Sequence, residues 1–295
     1  RGEAPNSGMG NVINTVIEVA GFIVVVGGVI IRALKQGKKT RAPGMLDPER
    51  QAKARRLFNA NPDDFNFVVC GLNSAGKSCL LNALRHAIAT MFLGDTNIRS
   101  HPMYRHAKSG IGETTLKLAG YGLPGLPKVV FVDAPGYGTT RSPQASYIED
   151  YALHTFDCCI IVIGPTILET DLDMIRLFEE AKLQYVLVRT KVDNDVDNAE
   201  RDAEGEGVEV PDAATTIKFI KEEIRGHLSG ITDKVPFCVS SVRAKPYEME
   251  ALVKEVGRIA MINRVVLDGA AADGGDDADT DGGAAGGAAG GAGGA

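Results

Sequence analysis

The sequence predicts an α/β fold of three layers, a mostly parallel sheet with helices on both faces. Three observations predict it. Short runs rich in Val, Ile and Phe recur at Phe65–Cys70, Val129–Val132, Cys158–Ile163, Tyr185–Val188 and Phe237–Val239. They are too short for helices and almost wholly apolar, as strands buried on both faces are. Stretches of helical periodicity separate them, and alternating strands and helices call for crossovers that cover both faces of one sheet. Finally, a loop with two glycines joins the first run to the next helix, where open α/β sheets bind ligands.

An apolar helix is expected ahead of this unit. Residues 12–31, VINTVIEVAGFIVVVGGVII, have the length of a membrane span, about 20 residues. Asn11, Asn14, Thr15 and Glu18 fall on one helical face, so an interfacial helix and a helix packed on the core or a partner stay open beside the anchor. Arg32, Lys35, Lys38, Lys39, Arg41, Arg50, Lys53, Arg55 and Arg56 follow, against only Asp47 and Glu49. Such a flank favours an anionic membrane surface and stays on the cytosolic side. The expected location is therefore a membrane, single-pass or interfacial, with the remainder cytoplasmic. Residues 1–42 are read as anchor and flank, 43–266 as the globular domain and 267–295 as a tail.

The domain opens with a helix over LDPERQAKARRLFNA, where Asp47 can cap and Pro48 suits the first turn. Helices are expected at Lys77–Met91, Ser146–His154, Thr170–Lys182, Ala213–Leu228 and Glu248–Ile262. TTLKLAGY, from Thr114, alternates more than the other runs and suits an edge or antiparallel strand. From Asp268 onward the chain holds only Gly, Ala, Asp and one Thr. Such a tail has no apolar area to offset ordering entropy and is expected to be disordered.

The net charge of −6 argues against broad nucleic-acid binding. Cys70, Cys79, Cys158, Cys159 and Cys238 show neither disulfide nor zinc spacing, as expected of small apolar side chains in a reducing compartment. The five histidines show no metal-ligand spacing.

Four motifs carry chemistry. In GLNSAGKSC, Gly71, Asn73, Ser74, Ala75, Gly76, Lys77, Ser78 and Cys79 form a strand–loop–helix phosphate cradle. Its backbone amides and the helix N-terminus face phosphate oxygens. Lys77 would bridge the β- and γ-phosphates and Ser78 would give its hydroxyl to Mg²⁺. This makes the fold a P-loop NTPase. In VVFVDAPG, Asp133 ends a strand and can hold Mg²⁺ through water, while the Gly136 amide can sense a γ-phosphate. In YVLVRTKVDND, Thr190, Lys191 and Asp193 decide the base. A carboxylate accepts side by side from guanine N1–H and the exocyclic amine, whereas adenine offers an acceptor at N1. The Lys191 stem can lie over the base. In CVSSVRA, Ser240 and Ser241 can support the base edge. The cofactors implied are GTP or GDP with Mg²⁺.

A switch threonine for Mg²⁺ and γ-phosphate is expected between the first two motifs. SGIGETTLKL offers Thr114 and Thr115, and Thr115 is favoured. Tyr137 follows Gly136, where many GTPases carry the Gln that orients the attacking water. An aromatic ring cannot do that, so another group in this chain or a second copy has to. A GTP-loaded recruitment module that hydrolyses poorly is the alternative reading.

Several segments resemble the interferon-inducible, immunity-related (IRG-type) GTPase family between about residues 48 and 262. They are GETTLKL, VVFVDAPGYGTT, the long stretch FDCCIIVIGPTILETDLDMIRLFEEAKLQYVLVRTKVDND, and FCVSS followed by YEMEALVKEV. The resemblance implies a dynamin-like GTPase that forms homodimers through its G domains and acts at membranes. It also implies Glu113, two residues before Thr115, as a candidate for hydrolysis across such a dimer. Family members carry a large helical domain after this unit, whereas here the Gly/Ala/Asp tail follows Ile262 within a few residues.

Overall fold

The computed structural model describes residues 47–61, 64–108, 117–243 and 247–270, the backbone alone from 260. The expected N-terminal apolar helix, Glu113, Thr114, Thr115 and the tail from 271 lie outside the described residues.

Helix α1 (Pro48–Phe58) starts as its sequence requires. The Asp47 side chain accepts from the amides of Glu49 and Arg50, both at 2.9 Å, satisfying two of the donors that a helix start leaves open. Phe58 stacks on Phe156 with ring centroids 4.8 Å apart, and the Lys53 ammonium donates to the Glu149 carbonyl at 2.5 Å.

Six strands form one sheet among the described residues: β1 (Phe65–Gly71), β2 (Ala119–Leu123), β3 (Leu126–Asp133), β4 (Cys158–Ile163), β5 (Tyr185–Arg189) and β6 (Phe237–Cys238). Their order is β2-β3-β1-β4-β5-β6. All neighbours pair in parallel except β2 and β3. Every residue of β1, β4 and β5 is buried, which is why these strands read as largely apolar runs, with Asn66 and Arg189 as buried polar exceptions.

Side chains alternate across the sheet. Phe65, Phe67 and Val69 of β1 join one core with α2 (Lys77–Ile88) and the last helix, α7 (Met249–Ala270). Val68 and Cys70 join the other, with α3 (Tyr147–Asp150), α4 (Glu169–Glu180) and α6 (Ala213–Leu228). Helices thus cover both faces, as expected.

Several boundaries move. The edge strand is antiparallel, and of the expected stretch that lies within the described residues, from 117 on, it takes in Ala119 onward but not Lys117 or Leu118. The hairpin turn at Gly125 (φ +84°) sets its register against β3, and β3 accordingly starts at Leu126. The helix expected over Ser146–His154 is interrupted, because Ala152 adopts a left-handed backbone (φ +52°) between α3 and a 3₁₀ turn at Leu153–Thr155. Helix α2 ends at Ile88 and continues as a π turn, Ala89–Leu93, closed by left-handed Gly94. Helix α5 (Val192–Glu206) was not expected at all. It is rich in Asp and Asn, which are poor helix formers, and buries only Val192, Asp193 and Ala203. Helix α7 runs on to Ala270, so 267–270 belong to a helix and not to the tail.

Candidate functional site

The motifs meet at the carboxyl edge of the sheet. Gly71 closes β1 beside Val162 of β4, and the loop turns through left-handed Ser74 (φ +63°) into Gly76. Gly76 is the N-cap of α2 with φ +96°, a conformation that a side chain strains. Helix α2 therefore aims its first amides back at the loop.

Carbonyl groups of the loop are taken up on its outer side. The Thr190 hydroxyl donates to the Ala75 carbonyl at 2.5 Å, and the Lys191 ammonium donates to the Ser74 carbonyl at 2.9 Å. The Thr190–Lys191 segment after β5 is thus stapled to the loop after β1 at two consecutive residues. Lys77 is buried and donates to the Leu72 carbonyl at 2.9 Å, spanning the cradle. Half-buried Cys79 lies in the first turn of α2.

Ser78 and Asp133 come together: the hydroxyl donates to the carboxylate at 2.6 Å, from elements 55 residues apart. Asp133 is 1% exposed. A hydroxyl oxygen and a carboxylate oxygen in contact at a cradle for phosphates are hard donors that suit Mg²⁺. Gly136, three residues on, lies against the cradle. A Cβ there would stand 2.1 Å from Asn73 Oδ1 and 2.9 Å from the Asn73 amide nitrogen, so only glycine fits.

Asp193 stands in the first turn of α5, 6% exposed. Left-handed Lys191 (φ +61°) turns the chain into that helix. The buried Arg189 guanidinium holds the corner, donating to the Pro165 carbonyl at 3.1 Å and to Asp195 at 2.7 Å. Burial raises the Asp195 carboxyl, and Arg189 opposes that shift.

Ser240 sits where expected, but its hydroxyl accepts from the amides of Val242 and Arg243 at 3.3 and 3.2 Å. It shapes the loop after β6 and does not face outward. Ser241 follows, half-buried. Sequence reasoning missed Arg243, whose Nε lies 3.8 Å from Asp193 and which also pairs with Asp197. A cation two residues after Ser-Ser was the available signal.

The segments flanking residues 109–116 are clamped to α2. Asn82 donates to the Ala107 carbonyl at 2.9 Å and accepts from its amide at 3.0 Å. Fully buried Arg85 donates to the carbonyls of Arg105 (2.8 Å) and Gly122 (2.7 Å), and its guanidinium lies 4.0 Å above the Tyr104 ring. The helix that starts at the phosphate cradle therefore also fixes both ends of the stretch that holds Glu113 and Thr115.

Tyr137 does not face the cradle. It is 1% exposed and donates to Asp171 of α4 at 2.7 Å. Among the described residues no helix is long and apolar enough to cross a membrane.

A family model described as interferon-inducible GTPase (IIGP) matches residues 52–265. Interferon-inducible GTPase 1 of Mus musculus is 32% identical over 155 residues, covering 52% of this chain and 35% of the relative. T-cell-specific guanine nucleotide triphosphate-binding protein 2 of Mus musculus is 29% identical over 225 residues, covering 76% and 49%. The chain thus spans between about a third and about half of these curated relatives. Among solved structures, a probable GTP-binding protein engB aligns at 18% identity with TM-score 0.38, over 67% of this chain and 99% of that one.

Proposed function

The chain belongs to the interferon-inducible GTPase family, and on that premise we propose that it binds GTP and hydrolyses it to GDP and phosphate with Mg²⁺. The observation that carries the reading is the convergence of the Lys77 cradle, the Ser78–Asp133 pair and Asp193 at one edge of the sheet, with Thr190 and Lys191 stapling the last to the first.

Loop amides and Lys77 hold the phosphates, and Lys77 offsets charge as the terminal phosphoryl group leaves. Ser78 would hold Mg²⁺ directly and Asp133 through water; the ion, when bound, neutralises the phosphate oxygens. Asp193 takes the two donors of guanine. The Gly136 amide meets the terminal phosphate. Thr115 serves as switch threonine and third metal ligand, and Glu113 assists hydrolysis across a homodimer of G domains; both assignments rest on sequence and family resemblance. Residues 12–31 tether the protein to a membrane, on the strength of their length, apolarity and basic flank.

One observation favours a second reading, a GTP-loaded recruitment module with little intrinsic hydrolysis. The side chain after Gly136 is committed to the core, so the chain offers no water-orienting group there. Single-turnover hydrolysis at low and high protein concentration separates the two. A rate that rises with concentration supports dimer-activated catalysis, whereas no hydrolysis at either supports the module and removes the enzyme.

A further inference from the structure

Tyr137 occupies the position next to the amide that meets the terminal phosphate, and its side chain is fully used elsewhere. The ring packs in the core edge-on to Tyr147, with centroids 5.6 Å apart at 83°. Its hydroxyl donates to Asp171 Oδ1 at 2.7 Å. Asp171 is itself fixed, because Oδ2 accepts from the Leu168 amide at 3.0 Å at the start of α4.

The same loop is tied down at other points. The Tyr147 hydroxyl donates to the Pro135 carbonyl at 2.7 Å. The Gln144 amide donates to the Thr170 carbonyl at 3.0 Å. Ser142 and Tyr151 share a hydroxyl contact of 2.7 Å. Thr170 and Asp171 belong to one helix end, so α4 grips the loop on both sides of its tip. On its far side, Gly136 rests against Asn73 of the cradle.

We infer that the Tyr137–Asp171 hydrogen bond is a latch that sets the Gly136 loop against the phosphate cradle before nucleotide binds, which makes Tyr137 a positioning residue for the terminal phosphate. The inference rests on the guanine-nucleotide reading of the site. Its physical content is preorganisation: a loop already in its binding conformation takes no free energy from the ligand to reach it. A triphosphate reaches Gly136 and a diphosphate does not. Loosening the loop therefore weakens triphosphate binding alone. The latch also accounts for the missing water-orienting side chain, since this position anchors the loop instead of serving the reaction.

The test uses the full chain and its Tyr137→Phe variant, which removes one hydroxyl and keeps the ring. Affinities for GDP and for a non-hydrolysable GTP analogue are measured with Mg²⁺. The latch predicts about tenfold weaker analogue binding, with GDP affinity within about twofold of wild type. Gln144→Ala, at a partly exposed position, loosens the same loop without opening the core and should shift the ratio in the same direction by less. Hydrogen exchange of the nucleotide-free protein should quicken over 134–147 in Tyr137→Phe and stay unchanged in α2. A lower melting temperature with an unchanged triphosphate-to-diphosphate ratio in both variants would reduce the bond to a packing contact and overturn the latch. Wild-type protein that binds neither nucleotide would overturn the site reading, and the latch with it.

Discussion

Replacing Asp193 with Asn tests base recognition at a single atom. The carboxylate is almost fully buried at the start of α5, so water does little to replace a lost partner. On the proposed reading its carboxylate accepts from both guanine donors. Asparagine keeps one acceptor, now neutral, and turns an N–H toward the exocyclic amine. A hydrogen bond to a charged group contributes about 1.5–3 kcal/mol. Losing one such bond and weakening the other costs about 2–3 kcal/mol, or about 30- to 150-fold in GTP affinity. In xanthine a carbonyl replaces that amine, and the asparagine N–H then has an acceptor. XTP should therefore gain where GTP loses. The fold should hold, because the pairing of Arg243 at 3.8 Å is half-exposed and such pairs contribute at most about 1 kcal/mol. Competition titrations of GTP, XTP and ATP against a fluorescent nucleotide read the shift, with thermal melting as the control for folding. An unchanged GTP-to-XTP ratio in a folded variant would remove Asp193 from base recognition.

Other expectations concern the cradle, the clamp and the tether. Lys77→Ala should abolish nucleotide binding while leaving the melting temperature close to wild type; calorimetric binding that stays tight would refute the cradle. Ser78→Ala should remove most of the Mg²⁺ dependence of nucleotide affinity, and a dependence equal to wild type would show that the ion is held elsewhere. Arg85→Ala leaves the carbonyls of Gly122 and Arg105 without their buried donor and should lower stability by about 3 kcal/mol in denaturant titrations; a loss under about 1 kcal/mol would mean the clamp is not structural. Deleting residues 1–31 should release the protein from liposomes with anionic lipids, and persistent co-sedimentation would reject the tether.

Much of the fold was legible because burial on both faces writes itself into composition. The largely apolar runs of β1, β4 and β5 could be read directly, and so could the Asp47–Pro48 helix start. What misled were elements whose register comes from outside their own sequence. Strand β2 carries Gly120 and Gly122, poor strand formers, and takes its place from the hairpin with β3. Helix α5 has almost no apolar stripe and is held at its N-terminal end, through Arg189 and Arg243. In the site, the 71–78 loop, Asp133 and the Thr190–Lys191 segment come together, whereas the Ser240 hydroxyl is taken up by its own loop and Glu113 and Thr115 lie outside the described residues. The contacts between motifs were not legible: Thr190 to Ala75, Lys191 to Ser74, and Gly136 to Asn73 join segments far apart in the chain. Tyr137 is the clearest case. The sequence showed only that the usual Gln was missing, whereas the structure shows the ring turned into the core and bonded to Asp171.

Direct competition between GTP and ATP for the nucleotide site, at equilibrium with Mg²⁺, bears on the central claim with the fewest intervening assumptions. A buried carboxylate facing the base should favour GTP by at least about a hundredfold. Equal affinity for the two, or a preference for ATP, would contradict the guanine site.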